Sequence, residues 1–375
     1  MKKIFTALGL MSGTSGDGVD ASIISSDGIT EYSEILNLYF KYDQKIYDNL
    51  HDIKGKIFKQ EDLENHKSEI SKLEKEITLF HAKVVNKVLT QTDKEVDFIS
   101  FHGQTIYHNP YEKISKQIGD GNLLSQLTKK TVINNFRQND IKNGGGGAPL
   151  APIFHRQIVK QKKIELPVCI LNIGGITNIT ALGKLNKEDF SSKDLGPGNC
   201  LIDEWIRKNT KNKFDNNGEI AKKGKTNDLI LNQALDNFEN RANQNFSSFD
   251  TKDFSLGFVR GLSLEDGAAT LTDFTGRIIE AELLSYLSQS KNKMFKVLIC
   301  GGGRKNLTLI ERIKRRVQKN LIIQPIDDYG IDGDYVESQA FAFIAIRSFL
   351  GLPISFPETT GCKEPCTGGV FIKNY

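Results

Sequence analysis

Leu10-Met11-Ser12-Gly13-Thr14-Ser15-Gly16-Asp17-Gly18-Val19-Asp20 is the stretch on which the reading of this chain turns. An apolar run from Ile4 to Met11 enters it, and β-branched residues resume at Ile23 and Ile24, so the segment reads as strand, glycine-rich turn, strand. Lys2 and Lys3 before the apolar run imitate the start of a secretory leader, but the direct passage into a glycine turn and a second strand favours a first strand. Gly16 to Ala21 also satisfies the dinucleotide pattern G-x-G-x-x-A. That pattern works by placing a helix N-terminus after its glycines, whereas Ala21 to Ser25 has strand character. What remains is a hairpin able to face a phosphate. Gly13, Gly16 and Gly18 would let backbone N–H groups approach the anion, Thr14 and Ser15 would donate from their hydroxyls, and Asp17 would hold Mg²⁺ directly or through water. An ordinary hairpin turn is the plainer alternative.

The same device recurs twice. Leu171 to Asn178 reads as strand, Gly174-Gly175, strand, and Ile299 to Asn306 as strand, Gly301-Gly302-Gly303, helix, the latter offering a flat wall for a nucleoside and a nearby helix N-terminus. No Walker A segment occurs, which disfavours the P-loop fold. A phosphate hairpin, a second Gly-Gly hairpin and a late glycine-rich loop, in that order, resemble the two-domain actin-like ATPase fold (the ASKHA group, ribonuclease H-like) of sugar kinases, heat-shock chaperones and actin. The resemblance implies an α/β architecture with the nucleotide in the interdomain cleft. It implies ATP contacts along Gly13 to Asp20, Val19 included, and at the two later turns.

Composition agrees with this class and excludes others. The 375 residues are ~2.5 typical domain lengths, and 38% hydrophobic against 26% charged residues is an ordinary globular balance. Fifty Lys and Arg are interspersed with 46 Asp and Glu, which gives nucleic-acid binding no electrostatic support. Five cysteines form no even framework and favour a reducing compartment. No apolar stretch approaches the ~20 residues of a membrane span. No repeat of fixed period is visible. The glycine run Asn143-Gly144-Gly145-Gly146-Gly147-Ala148-Pro149 is the expected hinge, dividing the chain into residues 1–140 and 141–375. Apolar spacing predicts one long helix from Glu61 to Leu89, packed across a sheet or, alternatively, in a coiled coil. A strand over Val96 to Phe101 should run into a polar loop at His102-Gly103-Gln104-Thr105, and a last helix should cover Asp334 to Phe349.

Five blocks carry a closer likeness: Gly9-Leu10-Met11-Ser12-Gly13-Thr14-Ser15, His102-Gly103-Gln104-Thr105, Asn172-Ile173-Gly174-Gly175, Gly196-Pro197-Gly198-Asn199, and Asp332 through Ala342. Together they resemble the anhydro-N-acetylmuramic acid kinase family. That likeness implies an ATP- and Mg²⁺-dependent cytoplasmic enzyme of peptidoglycan recycling, a homodimer, without nucleic-acid or membrane partners. It also implies roles: Asp194, opening the block Asp-x-Gly-Pro-Gly-Asn, as general base toward water; Glu337 as a sugar contact near the reacting centre; Gln104, Thr105 and Arg137 on the sugar side, Arg137 facing the lactyl carboxylate. Plainer readings make Asp194 a turn residue and Glu337 a solvated acid at a helix start.

The chain also departs from the family pattern. Gly16 stands where Leu or Met is usual, Leu195 where Thr is usual, and Gly146 and Asn135 where Gln and Asp are usual. His102 and His108 have no zinc-ligand pattern, and Cys362-x-x-x-Cys366 reads as a C-terminal turn ahead of half a metal site or a redox pair. Rival functions are a kinase of this fold acting on a free sugar hydroxyl, and a nucleotide-switch ATPase.

Overall fold

β1 (Phe5–Ser12) and β2 (Gly18–Ser26) pair antiparallel from Phe5↔Ser26 to Met11↔Asp20, so the opening segment forms the hairpin its sequence predicts. The computed structural model describes residues 3–183, 190–242, 248–289, 294–317 and 320–375. β3 (Tyr32–Lys41) extends the meander, and β4 (Phe98–Asn109) returns parallel to β1. β5 (Ile114–Ile118) pairs with the second half of β4, and β6 (Thr131–Asn134) runs parallel to its first half. Then β7 (Val168–Ile173), β8 (Ile176–Leu182) and β9 (Phe190–Pro197) form a second meander. β10 (Phe295–Cys300) and β11 (Leu321–Pro325) lie parallel to β7, and β12 (Val370–Ile372) edges β6.

Among the described residues the sheets therefore read β12-β6-β4-β1-β2-β3 and β11-β10-β7-β8-β9. One plan occurs twice: a three-stranded antiparallel meander whose first strand is central, flanked beyond it by two parallel strands that need helical crossovers. The two sheets belong to two compact units, Met1–Lys163 with Tyr335–Tyr375, and Ile164–Asp334. This corrects the boundary expected near Asp140. The glycine run is no linker, because Gly147 N donates to the Asp140 carboxylate at 2.7 Å and Gly146 N to the Thr360 carbonyl at 2.8 Å, folding it onto the first unit. The last helix, Val336–Phe349, likewise belongs to the first unit.

Each unit has its own apolar core. In the first, Leu8, Leu10, Val19 and Ile23 from the hairpin meet Leu50 of the helix Gln44–Lys56 and Ile77 of Lys67–Leu89. The helix expected over Glu61 to Leu89 is broken at His66, whose backbone (φ −105, ψ 18) leaves the helical region, into Lys67–Leu89 and a short helix Gln60–Asn65 that the Asp62 carboxylate caps by accepting from Phe58 N and Lys59 N. The expected polar loop after Phe101 is instead strand, since β5 pairs across Gln104↔Ile118 and Thr105↔Gln117. Helix Val336–Phe349 lies so close to β1 that a Cβ on Gly9 would collide with the Ser338 carbonyl oxygen. Ser22 and Ser338 hydroxyls meet at 2.6 Å, and Gln339 Nε2 donates to Glu34 at 2.7 Å, fixing the start of that helix on the sheet. Among the described residues no helix is long and apolar enough to cross a membrane.

Candidate active site

In the first unit the turn Gly13 to Asp17 is closed by Gly16 N donating to the Gly13 carbonyl at 3.1 Å. Gly16 is left-handed (φ +65), and a Cβ there would lie 2.6 Å from Leu50 Cδ2, so the turn favours glycine at this position. Helix Gln44–Lys56 holds the turn from below: Lys54 Nζ donates to the Thr14 carbonyl at 2.6 Å and His51 Nε2 to that of Ser15 at 3.1 Å. A trans peptide places C=O and N–H on opposite sides, so pinning the Thr14 carbonyl turns the Ser15 N–H away from the helix.

Gln104, fully buried, belongs to this turn. Its Nε2 donates to the Gly13 carbonyl at 3.0 Å, and its Oε1 accepts from Ser12 Oγ at 2.5 Å, with the Tyr42 hydroxyl 3.0 Å from that oxygen. The Asp17 carbonyl accepts from Tyr42 N at 2.9 Å. The Asp17 and Asp20 carboxylates lie near the Tyr39 phenol, whose pKa is pushed up to about 12 by burial and then by those charges. Val19 is buried in the core and offers only strand-paired backbone.

Arg137 is brought to His102 instead. Its Nε and Nη2 lie 3.3 and 3.0 Å from His102 Nε2, while His102 Nδ1 donates to the Gly103 carbonyl at 2.8 Å. Burial, then the Arg137 charge, pulls the His102 pKa down to about 3, so the ring is a neutral acceptor that orients the guanidinium. Thr105 Oγ1 accepts from Gln117 at 3.1 Å. Glu337, half-buried, precedes Ser338 in the first turn of the helix held at Gly9.

In the second unit Gly174-Gly175 join β7 to β8, and Gly301-Gly302-Gly303 follow β10, its parallel neighbour through Asn172↔Cys300. The two turns meet, for a Cβ on Gly303 would strike Ile173. The block Gly196 to Asn199 closes over the first of them, with Gly198 N donating to the Gly175 carbonyl at 2.9 Å and Asn199 N to that of Gly174 at 2.8 Å. Asp194 is a strand residue of β9 opposite Asn178, not a turn former. Its Oδ2 accepts from Ser248 Oγ at 2.9 Å and Phe249 N at 3.0 Å, which fixes the carboxylate's orientation. Arg304 anchors the triple-glycine turn, reaching Asp327 at 2.9 Å, Asp334 at 2.5 Å and the Gly301 carbonyl at 3.2 Å. Burial works against its charge, yet the bonds to Asp327 and Asp334 win and raise its pKa.

Four of these supports were not read from sequence. The helix carrying His51 and Lys54 was legible in Asp43 followed by Ile46, Leu50 and Ile53, an N-cap and an apolar stripe. Nothing local to Ser248 or Arg304 signals its partner, because each is brought there by distant chain.

The duplicated meander-plus-parallel plan, with glycine turns at strand ends in both units, defines the actin-like, ribonuclease H-like α/β class to which sugar kinases belong. Within that class, the family model for anhydro-N-acetylmuramic acid kinase matches residues 5–374. The anhydro-N-acetylmuramic acid kinase of Pelagibacter ubique is 56% identical over 375 residues, the whole of both chains. That of Rhodospirillum rubrum is 36% identical over 97% of this chain and 93% of its own. Component A of the Acidaminococcus fermentans (R)-2-hydroxyglutaryl-CoA dehydratase, a solved structure, aligns over 92% of this chain and 98% of its own at a TM-score of 0.45 and 12% identity. The chain belongs to the anhydro-N-acetylmuramic acid kinase family.

Proposed function

We propose that this chain uses ATP to open the 1,6-anhydro ring of 1,6-anhydro-N-acetylmuramic acid and to phosphorylate O6, giving N-acetylmuramic acid 6-phosphate and ADP in peptidoglycan recycling. In the anhydro sugar O6 is tied to C1, so no free 6-hydroxyl exists to accept phosphate. Water must attack C1, its proton passing to the Asp194 carboxylate, while the C1–O6 bond breaks and the freed O6 electron pair takes the γ-phosphoryl from ATP, with ADP leaving. The observation that carries the reading is Asp194 locked by Ser248 and Phe249 N beside the Gly-Pro-Gly-Asn block that closes the Gly174-Gly175 turn. A carboxylate is a weak base near neutrality, so alignment of a held water supplies much of the rate.

The turns would bind phosphate through backbone N–H groups at Gly13 to Gly18, Gly174-Gly175 and Gly301 to Gly303. Arg137, aimed by neutral His102, suits a carboxylate, and Thr105 and Glu337 complete the sugar side in this reading. Gln104 serves it by holding Gly13. The hard carboxylate of Asp17, with that of Asp20 also near enough to bear on Tyr39, is the donor type for Mg²⁺, held directly or through water. When bound, Mg²⁺ would offset charge on the β- and γ-phosphates. A cytoplasmic homodimer is part of the same reading.

The test is ADP release by the full chain with ATP and candidate acceptors. Stimulation by the anhydro sugar and none by glucose or N-acetylmuramic acid is expected. Equal stimulation by a sugar with a free 6-hydroxyl, or turnover indifferent to sugar, would overturn it.

A further inference from the structure

Outside the proposed reaction site, the first unit buries three metal-ligating side chains together. Asp140, Cys362 and Cys366 place one carboxylate oxygen and two sulfurs within 4.8 Å of one another. The three residues are only 1%, 2% and 7% exposed, although Lys363, Glu364 and Pro365 between the cysteines face solvent. The surface loop thus turns both thiols inward onto a buried carboxylate.

That carboxylate is what needs explaining. Its partners are the Gly147 N–H at 2.7 Å, the Thr360 hydroxyl at 2.6 Å and, more distantly, the Cys366 thiol at 3.8 Å, all of them neutral. Among the described residues no lysine, arginine or histidine pairs with it. Buried carboxylates are ordinarily matched by a cation or a metal, because desolvated charge is costly. Gly147 and Thr360 fix the carboxylate in the way that outer hydrogen bonds orient ligating carboxylates.

We propose that Asp140, Cys362 and Cys366 bind one thiophilic divalent cation of the Zn²⁺ type, with water completing a tetrahedral set. Two sulfurs select a soft or borderline metal and exclude Mg²⁺ and Ca²⁺, while the carboxylate suits Zn²⁺ or Co²⁺ over Cu(I). Binding would exchange thiol protons for metal: two S–H bonds are lost, two S–metal bonds form, and two protons leave. The site is structural. It would cross-link the C-terminal loop to the glycine run, already joined through Lys363 N to the Asn143 carbonyl at 3.1 Å and Gly146 N to the Thr360 carbonyl at 2.8 Å.

The test uses the full chain without a metal-binding tag, loaded with Zn²⁺ or Co²⁺ alone, desalted, and assayed for metal by mass spectrometry and for cobalt–thiolate charge transfer by absorbance. About one metal per chain is expected, with a thiolate band, a higher melting temperature than after chelation, and affinity that weakens as pH falls. Cys362→Ser and Cys366→Ser should each lose the band and the thermal gain while keeping phosphotransfer, so a folding defect is separable from loss of the site. No retained metal with all five cysteines of the chain titrating as thiols would overturn the proposal. So would a Cys362–Cys366 disulfide in the isolated protein, or metal retained by the double serine variant.

Discussion

Asp194 and Gln104 carry opposite lessons at the scale of single residues. Asp194 was legible as a candidate base from the block it opens, while its restraint by Ser248 and Phe249 N comes from residues more than fifty positions away and leaves no local trace. Asp194→Asn keeps the shape and both hydrogen-bond partners within reach but cannot take a proton. Sugar phosphorylation should fall by about 10²–10⁴-fold, the usual worth of a general base, with ATP affinity unchanged in a titration. Retained turnover would remove Asp194 from the mechanism. Gln104 was read as a sugar contact, yet its amide is spent on Gly13 and Ser12. Gln104→Leu removes one of the two donors to the Gly13 carbonyl, leaving Gly16 N, and takes the amide acceptor from Ser12 Oγ; a loss of about 1–3 kcal/mol in a buried site is expected, and ATP binding should weaken by about tenfold or more. A rise in the sugar KM with ATP binding intact would restore the first reading.

Among the elements, strands and turns were easier to read than the connections that hold them. Apolar and β-branched runs on either side of glycine turns gave both hairpins, because strands buried on both faces read as nearly continuous apolar runs bounded by turn residues. The continuation of β4 through His102 to Asn109 was hidden, since its polar side chains read as loop until β5 arrives to pair with them. Helix Val336–Phe349 was visible as an apolar segment, but its seat on Gly9 depends on a contact across more than three hundred residues. Gly9→Ala must push that helix off the sheet or strain it. A loss of about 1–3 kcal/mol in denaturant unfolding is expected, the range of overpacked cores; an unchanged midpoint would show the packing to be looser. Arg304 makes a second elemental claim. Burial raises the pKa values of Asp327 and Asp334, but the Arg304 bonds outweigh it and the net direction is down. Their contribution to stability is therefore present above the ordinary carboxylate range and is lost as pH falls through the lowered values. Arg304→Met should melt lower than wild type at neutral pH, with the gap closing in strong acid; a constant gap would contradict the ion-pair account.

For the whole molecule, the two-domain actin-like class was foreseen from three glycine turns in order, whereas the repetition of one sheet plan and the division of the chain were not. A glycine run looks like a hinge in sequence, and only its bonds to Asp140 and Thr360 show that it is tied down within one unit. That first unit also buries four histidines. Burial lowers His81 and His155 to about 4, and lowers His102 and His108 to about 3 with Arg137 adding to the effect. The folded chain then binds fewer protons than the unfolded chain below the ordinary histidine value, so stability is full above about 6.5 and declines as pH drops toward 4, by up to ~1.4 kcal/mol per pH unit for each ring. Melting followed from pH 8 to 4.5 should show a plateau and then a steep fall, and a flat profile would mean the rings are not held neutral. The central claim is the coupling of water attack at C1 to capture of O6, and isotope placement reads it directly. With anhydro sugar and ATP in ¹⁸O water, quenched before the anomeric oxygen exchanges, the product should carry ¹⁸O at C1 and none in its phosphate. Label in the phosphate, or a phosphorylated product without label at C1, would contradict the account.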